Sequence, residues 1–387
     1  MTHYHENSLS VLHIANDYTG SKVYKNLVAE LDRLEVRQII YTPIRDASKV
    51  GSNHIDLSTN NSGIIYSPVL NKYLDRLAYP LKILKIYKDI SNKVDLNSID
   101  LIHAHTWYSD GGVAYLLSKI HKVPFIVTVR NTDMNLFHKK LIYLRPYGKL
   151  ILDNSKAIIL PSKSYKNRLK NFKSYRQLIN KVPNKLKIIP NGVEKFWIEN
   201  STSNQESIPK KNINILFIGK LDKNKQIVNL IESIIMINES SNYKVKLHIV
   251  GSGGEDEKRV SKLAQKYSNF IKLHGAIYDK YKLLSIYRMC DIFAMSSRHE
   301  TFGLVYIEAM LQGLPILYTE GEGIDGIYGE SIGEKVTSHN RYTIKKQLLK
   351  IINNLGNYEI PIEHIKKNHS WDEIAKEILN IYLINKK

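Results

Sequence analysis

Glu300 and Glu308 flank a Phe-Gly pair in residues 296–315, SSRHETFGLVYIEAMLQGLP. A buried strand is predicted at 291–295, then a short polar loop, then a helix from about Phe302. The first free N–H groups of such a helix, near Phe302, Gly303 and Leu304, would join the positive end of its dipole to make an anion site. Gly303 has no Cβ, so a phosphate can approach the backbone beside Thr301 and Phe302. Glu308 follows Gly303 by about 7.5 Å along a helix axis. A diphosphate at the helix mouth would then have a carboxylate on each side, Glu300 for a sugar and Glu308 for ribose hydroxyls, since carboxylates accept hydrogen bonds well from vicinal diols. The plain alternative is a capping Glu300 and an ordinary helical Glu308. His103 and His105 alternate on a predicted strand and so share one face, which could look metal-like. No third ligand is predictable nearby, so core packing is expected for His103 and an acceptor contact for His105. There is no Asp-x-Asp motif in the chain.

The elements that must position these groups alternate between β and α. Strands are predicted at 11–15, 38–42, 101–104, 125–129, 157–160 and 187–189, and again at 214–218, 246–250, 271–273, 292–295 and 316–318. These runs are apolar without strict alternation, as in parallel strands buried on both faces. Helix-length amphipathic segments separate them, such as 22–34 and 303–312. Two doubly wound sheets follow. The polar, proline-containing stretch 197–211 reads as a linker between an N-terminal domain, 1–196, and a C-terminal domain, 212–370. Residues 371–387 carry an amphipathic helix pattern.

The totals fit two globular domains: 387 residues, 43% hydrophobic and 24% charged. Cys290 is the only cysteine, so no intrachain disulfide can form. The opening MTHYHENS lacks a signal-peptide pattern, and no apolar run approaches the ~20 residues of a spanning helix. A cytoplasmic protein is expected, peripheral at the inner face of the plasma membrane. The formal charge of +19 favours an anionic partner. Between 139 and 187 the basic residues include Lys139, Lys140, Arg145, Lys149, Lys156, Lys163, Lys166, Arg168, Lys170, Lys173 and Arg176, against Asp153 alone. Apolar residues are interleaved. Reversible contact with an anionic membrane is one reading, a solvated face the other. No zinc-finger spacing or RNA-binding aromatic signature is present, so nucleic acid is not expected.

The stretch 296–315 resembles the E-x7-E signature of glycosyltransferase family 4, down to its Ser pair, Phe-Gly, Glu-Ala-Met and Gly-x-Pro. Other segments resemble the family in order. FIGKLDKNKQ, 217–226, looks like its strand-loop G-R-L-x-x-x-K-G, with Lys220 for the arginine, Lys225 at the lysine and Gln226 for the second glycine. IIPNGV, 188–193, is similar to its Pro-Asn-Gly turn, DLIHAHTWYSDGG, 100–112, to its acceptor-domain strand, HIVGSGG, 248–254, to its glycine-rich turn, and SWDEIAKEILNIY, 370–382, to its closing helix, which crosses back to the first domain.

The resemblance implies a GT-B fold, two Rossmann-like domains facing a central cleft, and a retaining transferase using a nucleotide-sugar, UDP first. Glu300, Lys220, Lys225 and Arg130 would be catalytic. Thr301, Phe302, Gly303, Leu304, Glu308, Gly20, Gly219 and Asn191 would hold the donor, and His105 and Asp133 the acceptor, a glycan or lipid-linked molecule of bacterial surface polysaccharide synthesis. Two lysines by the helix mouth would neutralise the diphosphate, so no cofactor and no metal are expected. Two departures stand out. The fourth strand ends VTVRNTDMN where members often carry a histidine, leaving Arg130 and Asp133 as a substrate contact or a structural ion pair. The first glycine-rich loop retains only Gly20. The rivals are a nucleotide-sugar epimerase on the same fold and a non-enzymatic basic binding protein.

Overall fold

The computed structural model describes residues 9–71, 75, 78–172, 175–176, 183–202 and 211–387. Lys173 and residues 203–210 of the expected linker lie outside these. The chain divides into two compact units. The first is residues 1–161, 166–192 and 371–387; the second is 162–165 and 193–370. The first unit gives way at Gly192–Val193, ahead of the expected linker. The reason is Trp197, in the short helix Lys195–Glu199, which is buried in the second unit's core.

In the first unit seven parallel strands run β1 (Ser10–Ile14), β2 (Arg37–Pro43), β3 (Gly63–Ser67), β4 (Leu101–Ala104), β5 (Phe125–Thr128), β6 (Ile158–Leu160) and β7 (Leu186–Ile188). Their spatial order is β3-β2-β1-β4-β5-β6-β7. The second unit repeats the plan with β8 (Asn212–Ile218), β9 (Lys244–Val250), β10 (Ile271–Gly275), β11 (Ile292–Ala294), β12 (Ile316–Thr319) and β13 (Gly333–Val336), in the order β10-β9-β8-β11-β12-β13. Each order reverses direction once, between β1 and β4 and between β8 and β11. Loops after those strands diverge there and open a crevice for ligands. Strands β3 and β13 were not anticipated. Both are sheet edges, and GIIYS and GEKV lack the fully apolar run of the central strands.

The same local device ties the two central strands of each sheet at their N-terminal ends. An aspartate just before the fourth strand of each sheet accepts an N–H from the first: Asp100 Oδ2 from Ser10, the first residue of β1, and Asp291 Oδ2 from Asn214, the third of β8, each at 2.8 Å. Helices then cover the sheets. In the second unit, helix Ile227–Ser240 buries seven residues, Ile231, Ile234 and Ile237 among them, against the strands. In the first, helices Lys22–Arg33 and Trp371–Asn385 pack together over Val11, Leu101 and Ile126. The terminal helix lies so close that a Cβ on Gly192 would fall 2.6 Å from the Trp371 indole. Only glycine lets that turn lie flat on the ring.

Candidate functional site

The second unit's crevice gathers most of the expected residues. β8 ends at Ile218 and leads into Gly219, exposed Lys220 and a tight turn in which Asp222 Oδ1 accepts the Lys225 N–H at 3.0 Å. β11 leads into Ser296–Glu300. Asn224 ties the two loops together. Its Nδ2 donates to His299 O at 3.0 Å, its Oδ1 accepts from His299 N at 3.1 Å, and its O accepts from Arg298 N at 2.8 Å. The outcome is a contact between Lys225 Nζ and Glu300 Oε2 at 2.5 Å, with both side chains mostly buried. Asn224 was not anticipated. Its signal is weak, a polar residue in a loop, and its partner is 75 residues away in the chain.

Glu300 is held on every side. Its N–H donates to Glu322 Oε2 at 2.8 Å, its carbonyl accepts from Gly323 at 3.2 Å, and its Oε1 accepts from Thr301 N at 3.1 Å. The helix starts at Leu304, later than the sequence pattern suggests, because Gly303 takes φ +80° as its N-cap. A Cβ there would lie 2.5 Å from the Tyr306 ring and 3.2 Å from Glu300 Cγ, so glycine is required twice over. Phe302 is buried, while Thr301 and Leu304 are half-buried at the mouth. Tyr306 pins the helix to the strand by donating to Met295 O at 2.5 Å.

Lys220 is exposed, and among the described residues no carboxylate pairs with it. Gln226, where the family motif has glycine, sits at φ +57°. That left-handed conformation costs an L residue roughly 1–2 kcal/mol. Its amide offsets the cost by bonding to Lys223 O and accepting from Asn229 Nδ2, the latter at 2.7 Å. Glu308 is half-buried in the helix, and the Tyr287 hydroxyl donates to its Oε2 at 3.0 Å. Burial pushes its carboxyl up to about 7, with Glu194 adding and Lys280 opposing.

In the first unit, Arg130 follows β5. Its Nη1 donates to Asn191 Oδ1 at 3.0 Å and its Nε to His105 O at 3.4 Å, with its guanidinium over the Tyr24 ring. Asp133 is a correction. Its carboxylate is 1% exposed and accepts the N–H groups of Trp107, Tyr108 and Arg130 at 2.8–3.0 Å. It shapes the backbone after β4 and β5 and presents no free face to an acceptor. Burial raises its pKa to about 6. His105 is corrected likewise, being 1% exposed. It stacks on His103 at 4.0 Å, and its Nε2 meets His13 Nδ1 at 2.9 Å. The third histidine therefore exists, on β1. One ring nitrogen from each of His13, His103 and His105 lies within 4.8 Å of the others, and both His103 nitrogens are engaged, with Tyr382 and Thr128. Burial lowers the pKa of all three, which keeps the imidazoles neutral. Gly20, itself exposed, ends the turn Tyr18–Gly20 after β1, where a Cβ would meet Asp17 Oδ1 at 2.5 Å.

A cavity of about 660 Å³ opens at the opposite, N-terminal edge of β8 and β9, lined by Asn212, Tyr243, Lys244 and Phe270. None of the motif residues reaches it.

Two family descriptions match: Glycosyltransferase Family 4 over residues 20–195 and Glycosyl transferases group 1 over residues 198–381. The chain is 25% identical over 312 residues to the alpha-monoglucosyldiacylglycerol synthase of Acholeplasma laidlawii, covering 74% of this chain and 75% of that one. Sucrose-phosphate synthase from Thermosynechococcus elongatus superposes with a TM-score of 0.73 at 16% identity, over 97% of this chain and 98% of that one. The Anabaena protein HepE, solved with UDP-glucose, superposes with a TM-score of 0.67 at 18% identity, over 96% and 98%. These likenesses establish the GT-B glycosyltransferase fold.

Proposed function

Because this chain belongs to the family 4, group 1 glycosyltransferases, we propose that it moves a hexosyl group from a UDP-sugar to a hydroxyl of a glycan or lipid-linked acceptor, with retention at the anomeric carbon. The observation that carries the donor half is the Lys225–Glu300 contact beside the Gly303 turn, at the crevice between β8 and β11. The diphosphate would lie against the N–H groups of the turn, between Lys220 and Lys225, and Glu300 would take hydroxyls of the sugar. Glu308 would take the ribose. Support for UDP comes from HepE, which holds UDP-glucose on the same fold.

Glu300 is committed to Lys225 and its own loop, which suits orienting the sugar rather than attacking it. Front-face displacement follows. The bond from the anomeric carbon to the diphosphate oxygen breaks, the acceptor oxygen bonds that carbon on the same face, and the acceptor's proton passes to the departing diphosphate. The two ammonium groups and the helix mouth absorb the charge that develops, which is where fixed dipoles and cations lower a barrier most. In this reading the lysines take the place of a metal. The acceptor would be held by the first unit, with Arg130 as its cation. A lipid-linked acceptor at an anionic membrane surface fits the basic charge of that unit and the lipid named for the Acholeplasma relative.

Glu300→Gln tests the core of this. Transfer should fall by at least about a hundredfold, the scale of losing one transition-state contact, with the variant still folded by circular dichroism. A folded variant that turns over UDP-sugar like the wild type would remove Glu300 from the reaction.

A further inference from the structure

We infer that residues 136–143 of the first unit form a lipid-docking tip that seats the protein on an anionic membrane. The inference deepens the membrane contact proposed above and rests on it. The tip joins the helical turn Asp133–His138 to the turn Ile142–Leu144, ahead of helix Arg145–Asn154. Ile142 is 59% exposed, Tyr143 64% and Leu136 42%. Single exposed apolar side chains are ordinary. Three within one eight-residue turn-to-turn segment are not ordinary scatter. Lys139 and Lys140 are exposed between them, and among the described residues neither pairs with a carboxylate.

The tip is braced from beneath. Phe137 stacks on Tyr108 at 5.2 Å and meets Tyr79 edge-on at 6.0 Å, while Leu144 is buried. Inward anchors use up one side of the segment and leave Ile142 and Tyr143 directed outward. Three other residues of the basic run are engaged within the protein. Arg145 Nε donates to His138 O at 3.0 Å, Lys149 pairs with Asp153 at 2.8 Å, and Arg168 donates to Asn135 Oδ1 at 2.7 Å. Lys139 and Lys140 are the exposed ammonium groups that stand in sequence between exposed Leu136 and exposed Ile142 and Tyr143. Paired ammonium groups beside an isoleucine and a tyrosine match a surface that is anionic outside and apolar just below. An acidic protein or a nucleic acid would use the lysines and leave Ile142 in water. No described helix is long and apolar enough to cross a membrane, so docking is peripheral.

Co-sedimentation with vesicles of equimolar phosphatidylglycerol and phosphatidylcholine, against pure phosphatidylcholine, tests the tip. The wild type should bind the mixed vesicles at low salt and release as salt shortens the Debye length. Joint Lys139→Ala and Lys140→Ala should weaken binding roughly 30-fold, at about a factor of five per lysine. Joint Ile142→Ser and Tyr143→Ser should weaken it about tenfold or more. In Tyr143→Trp, indole emission should shift to the blue and be quenched by brominated lipid. All positions are exposed, so UDP affinity and thermal midpoint should stay at wild-type values. Equal binding to both vesicle types, no binding, or variants that bind like the wild type would overturn the tip whatever UDP does. Failure of the wild type to bind UDP would instead sink the transferase reading and leave the tip standing.

Discussion

The Lys225 ammonium rests on the Glu300 carboxylate at 2.5 Å, so the two side chains cannot be altered independently. Lys220, on the same loop as Lys225, is exposed, and among the described residues it makes no ion-pair contact with a carboxylate. The two lysines should therefore differ. Lys220→Ala removes one charge-assisted contact to a diphosphate, worth about 1.5–3 kcal/mol, or roughly a 10- to 150-fold loss of UDP affinity. Lys225→Ala should cost more, because it also strands a largely buried carboxylate that then repels the diphosphate. Calorimetry with UDP on the two variants checks the order. If Lys220→Ala binds UDP as tightly as the wild type, the diphosphate lies elsewhere in the crevice.

Strands β1 and β4 place three fully buried histidines side by side, and burial holds all of them neutral. It pulls His13 down to about 3, and His103 and His105 well below 6.5. Their folded pKa values lie below the unfolded 6.5, so their stabilisation is complete above that pH and is lost as pH falls below it. The groups facing them are Arg130, the Tyr382 and Thr128 hydroxyls and the Tyr24 ring. Asp110 and Asp133, whose carboxyls burial raises, act oppositely and gain stability as pH falls. The net slope is the difference between these two sets. In His13→Gln, stability to urea should become less acid-sensitive by about 1.4 kcal/mol per pH unit between roughly pH 4 and 6. A variant with the wild-type slope would mean that His13 takes up its proton without unfolding.

For the molecule as a whole, the second unit supplies two lysines, a helix mouth and positive-φ Gly303 on one sheet edge. In the proposed reading that set would neutralise a diphosphate without a divalent ion. Transfer should therefore persist in EDTA. Loss of turnover in chelator, restored by added magnesium or manganese, would place a cation in the step and displace the lysines from it. UDP at a hundred times its Kd should add about 2.7 kcal/mol to the stability of the folded protein.

What the chain determined by itself was the order of elements and the chemistry of one edge. Apolar runs of Ile, Val and Leu announce buried parallel strands, because such strands have no polar face. The stretch 296–315 announces its carboxylates and its glycine, because strand, turn and helix there are contiguous. Edge strands β3 and β13 escaped, since a half-covered strand has no fully apolar run. Pairings across long separations belonged to the tertiary structure alone. Asn224 finding His299, Lys225 finding Glu300 and His13 joining His103 and His105 all depend on sheet order, which puts β1 beside β4 and β8 beside β11. Burial was decided there too. Asp133 and His105 have the residue types of a binding site, and only the packing around them shows that their polar atoms are turned inward. Residue type states what a side chain can do, but which neighbours and how much water it meets are set by chain segments distant in sequence.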